Sequence, residues 1–176
     1  TEDLNTSKEI QKKTELKAIQ SQISPHFLYN TLNLISALAQ KHEINDIENV
    51  TNSLAVFFTR TLNNGNTFCT IKEELMHIKS YANIQLMRFP NKFDLVDNID
   101  DRIKQYSILN LTLQPLVENC IIHAFKDKPT KGLIEISAKK SDDDLYIYVK
   151  DNGFGSNIAD YNELNAYLNK PLKFDD

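Results

Sequence analysis

Between Ser7 and Gln40 the chain has no glycine, and its single proline there, Pro25, stands directly before a histidine. A run of that length rich in strong helix formers has few options besides a helix. Its first half carries Leu16, Ile19 and Ile23 at spacings of three and four, which predicts a coiled-coil seam leading into the histidine segment. Pro25 removes one backbone donor and is expected to bend the helix just before His26. At about 100° per residue, Ile23, Phe27, Leu28, Leu32, Ile35, Leu38 and Ala39 fall on one broad side. Gln22, His26, Tyr29, Asn33 and Ser36 fall on the other, with Asn30 at its edge. His26 therefore points to water. An imidazole placed there titrates near neutrality and is a nucleophile without strong activation. Such a histidine, taken alone, is more often a solvated side chain than a reactive one; two later motifs change that reading.

Residues 41–45 are a polar break, and a second amphipathic helix is predicted from about Asp46 to Leu62. Ile47, Val50, Leu54, Phe57, Phe58 and Thr61 share its one side, and Asn63-Asn64-Gly65-Asn66 stops it. Two helices joined this way form an antiparallel hairpin that cannot bury both apolar faces alone. A homodimeric four-helix bundle is the expected solution. Thr70-Ile-Lys-Glu-Glu then reads as a capping box opening a helix to about Phe89, which Pro90 terminates. Phe93 to Ile99 alternates like a strand, and Leu109 to Phe125 reads as a buried helix. Leu133–Ala138 and Leu145–Lys150 flank the acidic turn Ser141–Asp144 as a hairpin. Ala159 to Asn169 reads as a further helix. Helices on one face of a mixed sheet predict an α+β two-layer sandwich. The fold class is thus an α-helical hairpin over residues 1–65 followed by an α+β unit over residues 66–176.

A net charge of −4, with no basic run, gives no general attraction to nucleic acid or an anionic membrane. Cys69 and Cys120 match no metal-ligand spacing and are expected to be free thiols in a reducing compartment. No apolar run approaches the roughly 18–20 residues that span a bilayer, and there is no signal peptide pattern. A soluble, cytoplasmic piece is expected.

Two further stretches carry chemistry. Leu113-Gln-Pro-Leu-Val-Glu-Asn119-Cys-Ile-Ile-His123-Ala puts Glu118, Asn119 and His123 near one helix edge. An asparagine carboxamide oxygen is a hard ligand suited to Mg²⁺, and His123 could meet a phosphate oxygen. Asp151-Asn-Gly153-Phe-Gly155 follows a strand directly. Its glycines let backbone approach a ligand, and its carboxylate can accept a hydrogen bond from an exocyclic amine such as that of adenine. In isolation the first stretch is more often an ordinary helix surface, and the second reads as readily as a glycine-rich turn with a polar flank.

Their order resembles a sensor histidine kinase: a histidine helix, an asparagine helix about 90 residues on, and Asp-x-Gly-x-Gly about 30 beyond that. More narrowly the chain is similar to the LytS/YesM-type group. Its Pro-His-Phe-Leu-(Phe/Tyr)-Asn-x-Leu-Asn box stands as Pro25 to Asn33, its Leu-Gln-Pro-Leu-Val-Glu-Asn box as Leu113 to Asn119, and its Tyr-x-x-x-Gln-x-x-Arg-Phe stretch as Tyr81, Gln85, Arg88 and Phe89. The resemblance covers about residues 12–160. It implies that His26 accepts the γ-phosphoryl group of ATP, that Asn119 holds Mg²⁺, and that Asp151 reads the adenine above a floor shaped by Gly153 and Gly155. It further implies a Bergerat-type (GHKL) ATP-binding domain over residues 66–176, a response-regulator receiver domain as partner, and a membrane-embedded sensor upstream. Asn30 is then a candidate for positioning a water or the partner's aspartate, and Glu118 a candidate general base.

Three departures from the group stand out. The residue after the phosphoacceptor is Phe27 rather than the acid many histidine kinases carry. The group's Lys-His-Gly is Ile122-His123-Ala124 here, so one phosphate-clamping cation is missing. No Gly-x-Gly-Leu follows Gly155, where the family's ATP lid is expected, so this chain is expected to dimerise but to bind ATP poorly. A non-catalytic pseudokinase scaffold is the first rival reading. A gyrase-like hydrolytic ATPase is the second; its water-activating glutamate would stand where this chain has Pro115. Arg88 and Phe89 are expected to lock their helix against its own sheet, and His42 and His77 to be structural.

Overall fold

A computed structural model describes residues 25–62, 66–126 and 128–155. The coiled-coil lead-in, the bend ahead of His26, the stop at Gly65 and the helix predicted over residues 159–169 lie outside the described residues. Helix α1 (Pro25–Gln40) begins at its proline, where the missing N–H costs nothing. It ends when His42 enters the left-handed region (φ 60°), with Glu43 N–H donating to the Leu38 carbonyl at 3.0 Å and His42 N–H to that of Ala39 at 3.1 Å. That compact ending shortens the break to residues 41–43, so α2 (Ile44–Leu62) starts two residues earlier than predicted.

Thr70 opens α3 (Ile71–Arg88) as the sequence indicated. Its hydroxyl accepts from Glu73 N–H at 3.2 Å, and the Glu73 carboxylate accepts from Thr70 N–H at 2.9 Å. The same carboxylate meets the Arg60 guanidinium at 2.7 Å, tying the end of α2 to the start of α3. The Thr70 backbone N–H leads the contacts that hold Glu73 below the usual carboxylate range.

The hairpin covers one of its own faces without any second chain. Phe27 of α1 packs on Phe57 of α2 at 4.8 Å between ring centroids and on Tyr81 of α3 at 5.0 Å, and Phe57 stacks on His77 at 4.6 Å. These rings join the main core with Leu75, Ile78 and Val117. On the far side of α1, Leu32 stays 51% exposed and Tyr29 71% exposed.

Strands β1 (Phe68–Thr70) and β3 (Ser107–Leu109) form a small antiparallel pair. The main sheet runs β2 (Phe93–Asn98), β4 (Gly132–Ser141), β5 (Asp144–Asp151), with β2 parallel and β5 antiparallel to the central β4. Phe93, Ile134 and Ile136 are buried under the helices, while Val96, Tyr146 and Tyr148 alternate onto the open face. Gly132 is required by packing: a Cβ there would lie 2.6 Å from the Phe125 ring, which itself lies against Phe93 at 6.3 Å.

The long helix predicted from Leu109 to Phe125 is a correction. Leu109 ends β3, Leu111 adopts φ 60°, and only Gln114–Asn119 is α-helical (α4), with Pro115 in its first turn. Pro115 would break a helix that began earlier. A carboxylate distant in sequence enforces the start: Glu74, 1% exposed, accepts from the backbone N–H groups of Leu111 (3.0 Å), Leu113 (2.9 Å) and Gln114 (3.3 Å). It is an N-terminal cap supplied by another helix. After Asn119 the helix widens into a π-type turn, Cys120–Ala124, in which Phe125 N–H donates to the Cys120 carbonyl at 3.2 Å.

Candidate functional site

Most of the candidate side chains divide between two places. The first is a cleft of about 560 Å³ between α1 and the α4 turn. His26, Phe27 and Asn30 enter it from α1, Tyr81, Gln85, Arg88 and Phe89 from the end of α3, and Glu118, Ile121, Ile122 and His123 from α4 and its turn. His26 is exposed, and the Asn30 amide nitrogen lies 3.1 Å from its Nδ1 and 3.1 Å from its Nε2. Asn30 therefore restrains the imidazole itself. Gln114 donates to Glu118 Oε1 at 3.0 Å, which steadies the carboxylate on the cleft wall.

The widened turn explains why Glu118 and His123 share the cleft and Asn119 does not line it. In a regular helix Asn119 and His123, four apart, would stack; a π-type turn inserts one residue and brings the five-apart pair together. Asn119 is exposed, and its carboxamide makes no capping hydrogen bond among the described residues.

The second place is the turn after β5. Asp151 Oδ1 accepts from Gly153 N–H at 2.7 Å, and the Cys120 thiol reaches Asp151 Oδ2 at 3.6 Å. Burial, and then the neighbouring Asp151 charge, pushes the Cys120 thiol up to about 12, so it stays a protonated donor. Gly153 is needed by the chain itself: a Cβ would stand 2.5 Å from Ala124 Cβ and 2.6 Å from the Ala124 carbonyl. Phe154 N–H also donates to that carbonyl at 3.4 Å, closing the turn onto the asparagine helix. Gly155 has φ 71° with open space around it, the position where glycine's conformational freedom is used. Lys128 fastens Asn152, donating to its side-chain oxygen at 2.6 Å and to its carbonyl.

Arg88 and Phe89 depart from expectation. The guanidinium lies over the Phe89 ring at 4.7 Å, and both face the cleft rather than the sheet. The preceding members of that stretch are structural: Gln85 donates to the Tyr81 hydroxyl at 2.9 Å inside the core. Sequence reasoning missed Glu74, whose position beside the capping-box glutamate resembles a solvated acid. Among the described residues no group of three or more His, Cys, Asp or Glu is arranged to hold a metal. A single amide oxygen at Asn119, backed by ligand phosphates, is nonetheless a suitable Mg²⁺ donor set, since Mg²⁺ keeps several waters. The Asp151 carboxylate is fixed yet retains spare lone pairs for an amine. Asn119 and Asp151 thus have the donor and acceptor chemistry that the resemblance implies for Mg²⁺ and adenine.

Comparison with known proteins agrees. The histidine kinase family model matches residues 14–93. The chain is 40% identical over 144 residues to the sensor histidine kinase YesM of Bacillus subtilis, covering 82% of this chain and 25% of that protein. It is 35% identical over 145 residues to the sensor protein LytS of the same organism, covering 82% and 24%. It is 29% identical over 158 residues to the sensor histidine kinase BtsS of Escherichia coli, covering 84% and 28%. The chain spans about a quarter of the length of these curated relatives. No helix of the described residues is long and apolar enough to cross a membrane. With its histidine box at the mouth of a cleft walled by its asparagine box, the chain belongs to the LytS/YesM-type group of sensor histidine kinases.

Proposed function

We propose that this chain is the cytoplasmic catalytic part of a two-component sensor kinase, in which His26 takes the γ-phosphoryl group of ATP and passes it to a response-regulator aspartate. One observation carries the reading: His26 and Glu118, far apart in sequence, line the same cleft. Residues 1–65 then serve as dimerisation and phosphotransfer hairpin, and residues 66–176 as a Bergerat-type ATP-binding unit. The protein acts as a homodimer joined to a membrane-embedded sensor upstream.

Bound Mg-ATP supplies the electrophilic phosphorus and the cation that neutralises its oxygens. The chain's part is positioning and proton handling. Asn119 offers its carboxamide oxygen to Mg²⁺, Asp151 accepts from the adenine amine, and Gly153 and Gly155 shape the floor beneath it. Asn30 holds the imidazole rotation and releases its hold as a ring nitrogen bonds to phosphorus. Glu118 takes the proton displaced from the other ring nitrogen. His123 meets a phosphate oxygen.

Labelled Mg-ATP given to a form extended to carry the family's second glycine box should leave acid-labile, base-stable label on His26 alone. His26→Gln should abolish it, and label persisting in that variant would refute the assignment. Asp151→Asn should lower ATP affinity roughly 10- to 100-fold, the worth of a hydrogen bond to a charged group, with the fold intact because an amide oxygen can still accept from Gly153. Unchanged affinity by calorimetry would remove Asp151 as the adenine reader.

A further inference from the structure

The cleft in front of His26 has an excess of positive charge that no ion pair among the described residues neutralises. Arg88, Lys92 and Lys126 line it, and among the described residues Glu118 is the only carboxylate that does. None of the three cations takes part in an ion pair among the described residues, whereas Arg60, Lys79, Lys104 and Lys131 all do. This accumulation occurs in a chain of net charge −4. Phe27, Ile121 and Ile122 form part of the wall, so water screens the charges less than on an open surface. Ile122 is 50% exposed on the cleft wall.

We infer that Arg88, Lys92 and Lys126 form a seat for a phosphoryl anion facing His26. Arg88 presents a planar fork of donors suited to two oxygens of one phosphoryl group. Stacking on Phe89 fixes the plane of that fork without consuming its hydrogen bonds. Lys92, four residues beyond Arg88, and Lys126, just past the widened turn, add point charges from two different segments. The anion has two sources of the same chemistry, the terminal phosphate of a nucleotide or the phosphoryl group carried by His26. Which of these fills the seat rests on the kinase reading above; the presence of the seat does not.

The test uses the full chain and inorganic phosphate, with the ring signals of its four histidines followed by NMR at constant ionic strength. Phosphate should shift His26 and His123 saturably while His42, in the turn between α1 and α2, and buried His77 stay fixed. Arg88→Gln should raise the midpoint at least about fivefold and Arg88→Lys should restore part of the affinity, as expected for lost charge-assisted hydrogen bonds. Lys92→Gln and Lys126→Gln should each raise it about two- to fivefold, with the His77 signal reporting an intact core. Absence of a saturable shift, or an unchanged midpoint in Arg88→Gln, would overturn the seat.

A second arm loads His26 with phosphoramidate. The P–N bond of the donor breaks, a P–N bond to the ring forms, and ammonia leaves with the ring proton. Phosphate should then no longer shift His123, because the seat is filled from His26. Continued binding of free phosphate would assign the same seat to the terminal phosphate of the nucleotide. Neither arm uses ATP, so failure of the kinase assay and failure of this test are separate results.

Discussion

Glu74→Ala should destabilise the chain by roughly 3–5 kcal/mol, more than any surface acid could account for. The carboxylate is almost fully buried and accepts three backbone N–H groups at the start of α4, which the alanine variant would leave without partners. One of those groups belongs to Leu111, held at φ 60°, a conformation that costs a leucine free energy wherever nothing compensates. The Cys69 thiol also reaches Glu74, at 3.7 Å; burial, and next the Glu74 charge, pushes that thiol up to about 12. Glu74→Gln keeps an acceptor oxygen and the shape, so it should fall between wild type and alanine. Urea unfolding measures both. A loss below about 1 kcal/mol for Glu74→Ala would show that water can replace the carboxylate.

Acid should weaken the fold through His77. Its ring is 2% exposed, stacked on Phe57, and neither nitrogen has a well-formed hydrogen bond. Burial pushes its pKa down to about 4, and the Phe57 backbone opposes this only in part. The unfolded chain binds a proton there near pH 6.5 and the folded chain only near pH 4. Stability is therefore complete above about pH 6.5 and falls through that window as pH drops. At about 1.4 kcal/mol per pKa unit, the loss approaches about 3 kcal/mol at the acid end. Because the ring lies between α2 and α3, the hairpin should loosen first. Unfolding free energies at pH 7 and pH 4.5 for wild type and His77→Phe check this, and equal acid losses in the two proteins would refute it.

Elements governed by local chemistry could be read directly from the residues. The Thr70–Glu73 capping box, the apolar side of α2 and the hairpin around Asp142 need only near neighbours, and each stands as the pattern indicated. The residues before α4 behave otherwise, since the start of that helix is dictated by Glu74, 39 positions from Leu113. No window of sequence around Leu109 contains that information. Strands β1 and β3 span three residues each, too few for alternation to register. At the site, the motifs identified His26, Glu118 and His123, but their meeting in one cleft depends on the π-type turn, which has no residue signature. Arg88 looked structural because a helix-terminal arginine before an aromatic residue usually is.

Phe27 and His26 are neighbours on α1 with opposite fates, one seated among Phe57 and Tyr81, the other at the mouth of the cleft. Phe27 thus acts as a pivot immediately beside the His26 ring. Any torque applied to α1 about its long axis is resisted at Phe27 and converted into a sweep of His26 along the rim, toward or away from Glu118 and Arg88. Sliding the helix lengthwise would have to unseat the aromatic ring. The fold therefore favours rotation over translation as the movement that brings the imidazole into and out of reach.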